Sequence, residues 1–285
     1  MLVANGSASG LGHSADALDT ARRVLGGRGA QVETHLTESV AELAATWADF
    51  QDRRVVLLGG DGTVHTAANL PFGPELALLP AGRANNVARV LSIPTDLSAA
   101  AELAANGRVR PIDLISATNG ARSTLAVEGV SVGFHAVARA SYRAPNSADV
   151  RAAVRSALSA ARRFDGVSLC VSSDGDAEML SLGQLFVANL PLFAFGLRVA
   201  PEARPADGLL DVVALPWEGR ARILPTIVRL RRGTHGGRLG VHTWTARRVR
   251  IATRGGSPII ADTLSLGTGP VTLEAAPAAL PLVRP

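Results

Sequence analysis

Val55-Val56-Leu57-Leu58 is an apolar run, and Gly59-Gly60-Asp61-Gly62-Thr63 follows it directly, ahead of Val64-His65-Thr66-Ala67-Ala68. The first stretch reads as a buried strand and the last as the opening of a helix. A strand, a tight glycine turn and a helix in that order belong to a parallel sheet covered by helices. Glycines at such a turn leave no Cβ in the way, so backbone N–H groups can approach a phosphate closely. Asp61 between them can hold a metal ion, directly or through water. Thr63 is expected to cap the helix. The plain alternative is an ordinary tight turn with a buried Asp.

A second stretch repeats the pattern. Leu76-Ala77-Leu78-Leu79 is followed by Pro80-Ala81-Gly82-Arg83-Ala84-Asn85-Asn86-Val87-Ala88-Arg89. Upstream, a short strand at residues 2–5 runs into Asn5-Gly6-Ser7-Ala8-Ser9-Gly10. Ligands of open α/β sheets bind beyond the carboxyl ends of the strands. The candidate phosphate-binding residues are therefore Asn5, Ser7, Gly10, Gly59, Gly60, Asp61, Gly62, Thr63, Gly82, Arg83 and Asn85. Amphipathic stripes around Leu18–Leu25 and Val40–Phe50 supply flanking helices.

With 285 residues, the chain can bury one large core or two modest ones. No apolar stretch reaches the length of a membrane span, and Met1–Asn5 reads as a strand rather than a signal peptide. The single cysteine, Cys170, excludes an internal disulfide and fits a reducing cytosol. It is expected in the core. All 29 Lys+Arg residues are arginine, which excludes a Walker-type loop and Schiff-base chemistry, both of which need lysine. The net charge is +5. The basic residues thicken after Arg220, through Arg222, Arg229, Arg231, Arg232, Arg238, Arg247, Arg248, Arg250 and Arg254. Such a field attracts polyanions, either as a membrane-docking surface or as an ordinary solvated face. No nucleic-acid signature is visible, so no nucleic-acid partner is expected.

After Asn106-Gly107 the pattern changes to mostly strands, Val167–Ser172 and Leu182–Asn189 among them, interrupted by helices near Asp149–Phe164 and Arg220–Arg231. The fold expected is an α/β N-terminal domain, residues 1–108, with a parallel sheet and flanking helices. A β-rich, sandwich-like domain follows at residues 109–275.

These motifs together resemble the catalytic domain of the diacylglycerol kinase and sphingosine kinase superfamily, especially its soluble bacterial lipid kinases. Gly59–Thr63 matches the family's GGDGT loop, and Pro80–Arg89 its P-x-G-T-x-N-D-x-A-R segment. Glu128–Ala136 is similar to its N-x-x-x-x-G-x-D-A stretch. Pro201-Glu202-Ala203 with Asp207–Val212 is similar to its P-x-A…D-G-x-L-D-V signature. Asp262, Pro270-Val271-Thr272 and Pro277–Leu280 follow its ending. The resemblance implies an active site in a cleft between two domains, with residues 276–285 returning to the first. It implies ATP and Mg2+ as cofactors and a lipid acceptor at an anionic membrane surface. It also implies a cytoplasmic protein, peripheral on the inner face of the membrane. A homodimer is a possible assembly.

Phosphoryl transfer needs donors around the phosphates, a metal ion, and a carboxylate that takes the hydroxyl proton. By resemblance, Asp61 and Asp113 are metal-side residues, Asp207 helps hold a second, structural ion, and Asp262 is the general base. A strand-end cap for Asp113 and turns for Asp207 and Asp262 are the alternatives. Several positions depart from the pattern. Arg83 replaces a Thr, Asn86 an Asp, and Thr263-Leu264 the Gly-Glu of a D-G-E motif. Ala194-Phe195-Gly196 stands where a glycine triplet is common. His135 replaces an Asp and is expected to be structural. Three functions follow: a lipid kinase, an NAD or sugar kinase-like phosphotransferase, or a non-catalytic nucleotide- or lipid-binding protein.

Overall fold

The computed structural model describes all residues except 6–13, 28–30, 38–39, 51–52, 72, 121 and 142–149. Ser7 and Gly10 lie outside the described residues. The chain divides into two compact units, Met1–Ile112 with Ala278–Pro285, and Asp113–Pro277.

The first unit alternates β1 (Leu2–Asn5), α1 (Ser14–Gly27), β2 (Thr34–Thr37), α2 (Val40–Trp47), β3 (Val55–Gly59), α3 (Asp61–Ala68), β4 (Leu76–Pro80), α4 (Asn86–Val90), α5 (Leu97–Asn106) and β5 (Arg108–Val109). The sheet order is β2-β1-β3-β4, with every pairing parallel. β3 and β4 are buried along their whole length, as strands covered on both faces must be, which explains their unbroken apolar runs. Leu18, Leu25, Leu58, Leu79 and Ala101 share one core cluster. Trp47 and Phe50 pack edge to face, with ring centroids 6.2 Å apart.

The second unit comprises β6 (Ile112–Asn119), β7 (Arg122–Ala126), β8 (Gly129–Gly133), α6 (Phe134–Ala140), α7 (Val150–Arg163), β9 (Val167–Ser173), β10 (Asp176–Ala188), β11 (Leu192–Phe193), β12 (Leu197–Arg198), β13 (Leu210–Pro216), α8 (Ile223–Arg232), β14 (His242–Ala246), β15 (Arg248–Thr253), β16 (Ile259–Ala261), β17 (Leu264–Gly267) and β18 (Val271–Leu280). Along the sheet the order is β17-β16-β8-β10-β9-β15-β18-β6-β7, with β13 joined to β10 and β14. Leu169, Leu185, Val212, Val249 and Leu273 meet in its core. Past β18 the chain re-enters the first unit, where β19 (Val283–Arg284) pairs with β5. Leu76 N–H also donates to Pro281 O there, at 2.8 Å.

Four details differ from the sequence expectation. α3 begins at Asp61, capped by Gly60, so Thr63 lies inside the first turn and does not cap it. β10 starts at Asp176 because Asp174 (φ 49) and Gly175 (φ 119) form a two-residue hairpin turn that pairs Ser173 with Asp176. Its first residues are mostly exposed and do not form an apolar run, so apolar patterning hides them. α6 is a third helix in the β-rich unit. Cys170 sits on β9 but is only half-buried, on the face opposite Leu169 and Val171.

Leu57 is fully buried in β3. We expect Leu57→Ala to cost about 2–5 kcal/mol, read as a lower urea midpoint for the first unit.

Candidate active site

β3 and β4 are adjacent and parallel, with Gly59 opposite Pro80, so both glycine loops leave the sheet at the same end. Ala81 N–H donates to Gly59 O at 2.9 Å, carrying the pairing one residue beyond the strands. The loops then touch through their glycines. A Cβ built on Gly60 would lie 2.8 Å from Gly82 Cα, and one on Gly82 would lie 2.6 Å from Gly60 Cα. Backbone rests on backbone there, and only glycine permits it. A Cβ on Gly59 would run into the Thr63 side chain, which is buried beneath it. At Gly62 a Cβ would meet nothing, so this glycine faces open space.

Asn85 holds the second loop. Its backbone is left-handed, at φ 47, a region Asn tolerates better than most residues. Its Oδ1 accepts from Gly82 N–H at 2.9 Å, and its Nδ2 donates to Gly82 O at 2.9 Å. Asp61 Oδ1 accepts from Val87 N–H at 3.0 Å, so the acid of the first loop caps the helix that follows the second. Asn86 is fully buried as a neutral amide. Arg83 is exposed at the loop tip, and Asn5 ends β1. Gly59, Gly60, Asp61, Gly62, Thr63, Gly82, Arg83 and Asn85 thus form one structure at the end of β3 and β4.

The second unit carries a different constellation. Asp262 follows β16 in a left-handed conformation, at φ 48. Its Oδ2 accepts from Val127 N–H at 2.7 Å, and its Oδ1 from Glu128 N–H at 2.9 Å and Gly129 N–H at 3.0 Å. Its own N–H donates to Gly129 O at 2.9 Å. Asp262 therefore anchors the turn between β7 and β8. Glu128, in that turn, is buried, and its Oε2 accepts from Ala194 N–H at 3.0 Å. In the sequence Glu128 is only the first residue of a motif that opens with Asn in the resembled family, and that acid is the signal that marks it.

His135 opens α6. Its Nδ1 is 2.9 Å from Ser131 Oγ, its N–H donates to Gln184 Oε1 at 2.8 Å, and its ring meets Phe193 edge on at 5.2 Å. Burial, helped by the Arg139 charge, pushes its pKa down to about 4, so the ring is neutral near pH 7. This is the geometry of a structural histidine.

Asp113, on β6, packs against the 205–209 loop that carries Asp207, apart from Asp61 in sequence and in unit. Asp113 Oδ2 accepts from Gly208 N–H at 2.7 Å, and Asp113 N–H donates to Pro205 O at 2.7 Å. Asp207 Oδ1 accepts from Leu209 N–H at 3.1 Å. Among the described residues no three His, Cys, Asp or Glu side chains converge as a metal site. The loop is nonetheless crowded with negative charge. Burial raises the Asp211 carboxyl to about 6, and Asp207 and Glu202 push the same way. A divalent cation bound partly by carbonyl oxygens would relieve that crowding.

The comparisons with known proteins agree with this geometry. Residues 1–117 match the model of the diacylglycerol kinase catalytic domain, and residues 128–284 that of the YegS C-terminal NAD kinase beta sandwich-like domain. The chain belongs to the diacylglycerol kinase catalytic-domain superfamily. A diacylglycerol kinase of Mycobacterium tuberculosis is 29% identical over 251 residues, covering 85% of this chain and 80% of the relative. A probable lipid kinase YegS-like of Pseudomonas aeruginosa is 33% identical over 206 residues, 63% of this chain and 64% of the relative. In fold, a putative diacylglycerol kinase from Bacillus anthracis superposes with a TM-score of 0.80 at 19% identity, over 100% of this chain and 96% of that one. An NAD kinase from Archaeoglobus fulgidus, solved with ATP, gives a TM-score of 0.51 at 15% identity, over 96% of this chain and 89% of that one. This lipid kinase family accounts for both units.

The raised Asp211 carboxyl sets a pH dependence. The folded state binds the proton more tightly than the unfolded chain, so this group's contribution to stability falls as pH rises from about 4 to about 6. In chelator-containing buffer, Asp211→Asn should stabilise the protein at pH 7.5 by about 1–2 kcal/mol after allowance for solvent screening. In urea titrations across pH, the gain should shrink toward zero near pH 4.

Proposed function

We propose that the protein is an ATP-dependent lipid kinase that transfers the γ-phosphoryl group to a hydroxyl of a diacylglycerol-like or sphingoid-like lipid. The observation that carries this reading is the back-to-back contact of Gly60 and Gly82, with Gly62 open beside it. Two loops packed backbone to backbone, at the carboxyl ends of parallel strands, form a cradle for a nucleotide's phosphates. Asn5, Gly59 and Thr63 belong to the same end in this reading. The exposed Arg83 guanidinium can bind a phosphate bidentately in place of the family's Thr.

Asp61 would be the protein carboxylate that holds an Mg2+ ion beside the nucleotide, where the ion would supply charge neutralisation for phosphoryl transfer. Asp113 and Asp207 are proposed for a structural ion, which the crowded Asp207, Asp211 and Glu202 would favour. The acceptor end lies at the Val127–Gly129 turn, where Asp262 is the carboxylate around which the turn is built. In this reading the hydroxyl proton passes to Asp262.

The lipid partner accounts for the surface of α8. Leu224 there is 70% exposed, and Leu239 beyond it is fully exposed, among Arg220, Arg222, Arg229, Arg231, Arg232 and Arg238. Apolar side chains between arginines suit the surface of an anionic bilayer. No helix among the described residues is long and apolar enough to cross a membrane. The protein in this reading works from the cytoplasm and docks reversibly.

Gly62→Val tests the nucleotide end, because its side chain enters open space and leaves the loop contacts alone. Calorimetry with ATP should find binding lost, while the unfolding temperature stays within a few degrees. Unchanged ATP affinity in the folded variant would remove the cradle assignment. For the membrane, sedimentation with phosphatidylglycerol vesicles should fall as salt rises, since exposed charges are screened beyond roughly 8 Å at physiological ionic strength. Equal binding to neutral and anionic vesicles would contradict the docking surface.

A further inference from the structure

A pocket of about 630 Å³ lies on the second unit, where β9 and β10 meet the loop between β15 and β16. That volume is in the range of small-molecule sites. Its lining includes Ser168 of β9, Met179 and Ser181 of β10, and Arg254, Gly255 and Ser257 of the loop. No carboxylate lines it, and Arg254 is its one charged lining residue. Asp165, which precedes the lining residue Gly166, accepts from Trp217 Nε1 at 3.2 Å.

The sheet brings these groups together. β9 and β10 pair antiparallel with Ser168 opposite Ser181, so both hydroxyls stand on one face, and Met179 is two residues along on the same side. β15 pairs with β9 on its other edge, and Arg254 N–H carries that ladder on, donating to Ser168 O at 2.8 Å. Beyond Arg254 the chain turns through two left-handed glycines, Gly255 (φ 78) and Gly256 (φ 71). Thr253 Oγ1 lies 3.3 Å from Ser257 O and 2.9 Å from Thr268 O, and its O–H fastens the loop.

The pocket holds more donors than its own structure uses. Ser168 Oγ and Ser181 Oγ are 3.4 Å apart, so one donates to the other and one O–H is left over. The N–H groups of Gly255 and Ser257 meet no acceptor among the described residues. On β15, Arg248 is paired with Glu274 at 2.9 Å, whereas Arg250 and Arg254 form no ion pair among the described residues. Spare N–H and O–H donors around a free guanidinium, with no acid among them, are the chemistry of an anion site. Met179, 49% exposed, gives the same pocket an apolar wall. A bare inorganic ion has no use for that wall, and a phosphate on an organic body does.

We propose that this pocket binds a phosphomonoester carried on a small organic body. Arg254 takes two phosphate oxygens through its guanidinium. The spare serine hydroxyl and the Gly255 and Ser257 N–H groups complete the shell, and Met179 packs on the body. The site stands apart from the kinase reading, because none of its residues belongs to the glycine loops.

Titration calorimetry on the full chain tests this, with glycerol 3-phosphate, dihexanoyl phosphatidic acid below its micelle concentration, and inorganic phosphate as probes. The proteins are wild type, Arg254→Gln, Arg250→Gln, Met179→Ser and Gly62→Val. Both esters should bind wild type more tightly than inorganic phosphate does. Arg254→Gln should weaken both by about tenfold or more, as the loss of a charge-assisted pair requires. Because Arg254 is exposed, that variant should keep the wild-type unfolding temperature. Arg250→Gln should change affinity by less than about twofold at physiological ionic strength, where separated exposed charges are screened. Gly62→Val should bind both esters as wild type does, which separates this pocket from the glycine loops. A preference for phosphatidic acid that Met179→Ser removes identifies a lipid head group, and equal affinities identify a soluble ester; either supports the phosphate site. Affinity that is unchanged in Arg254→Gln, lost in Gly62→Val, or no better for the esters than for inorganic phosphate overturns the assignment. So does the absence of binding at millimolar probe.

Discussion

The first unit depends on a contact in which two backbones meet with nothing between them. Gly60 and Gly82 lie so close that neither could carry a Cβ without moving the other. Every other feature of the loops serves that approach. The β3–β4 pairing delivers both chains to the same edge, and Ala81 extends it by one hydrogen bond. Asn85 turns the second loop back through a left-handed residue and ties it to Gly82 from both sides. Asp61 reaches across to Val87 and fixes the first loop to the start of α4. Gly60 and Gly82 are thus required by the packing of the loops on each other, whereas Gly62 faces open space and is not.

The second unit is organised around a charge in place of a void. A carboxylate that collects three consecutive N–H groups forces those groups to point one way, which shapes the turn from Val127 to Gly129. β8 then runs tightly against β10, where a Cβ on Gly129 would lie 2.7 Å from Val187 O and 3.4 Å from the Phe193 ring. Asn189 ties the same turn to the start of β6 through the carbonyls of Asp113 and Val127. Asp262 is therefore tied to the turn through three backbone N–H groups.

What could be read from the sequence was local. The parallel sheet followed from apolar runs broken by glycine, because a strand covered on both faces leaves that trace. The pair of glycine loops at the ends of β3 and β4 followed from glycines at fixed offsets. Thr63 was misplaced because Asp61 already lies in the helix, so the residue that looked like a cap is one turn in. The first half of β10 was missed because its side chains are solvated, although Asp174-Gly175 marks the hairpin. Least legible was the partnership of Glu128 with Asp262. It joins residues 134 positions apart through a backbone N–H, and a backbone donor carries no residue type.

The return of the chain to the first unit has a consequence for the order in which the molecule can be made. Leu282 and Val283 are buried in that unit, β19 closes on β5, and Pro281 accepts a hydrogen bond from Leu76. A ribosome working from the amino end delivers all of Asp113–Pro277 before these residues. The sandwich-like unit therefore has its whole sequence in hand while the sheet beneath the glycine loops still lacks its last partners. Because domains fold as units during synthesis, the later unit in sequence is the first that can be finished. The first unit, which carries the glycine loops, is completed only when residues 278–285 dock.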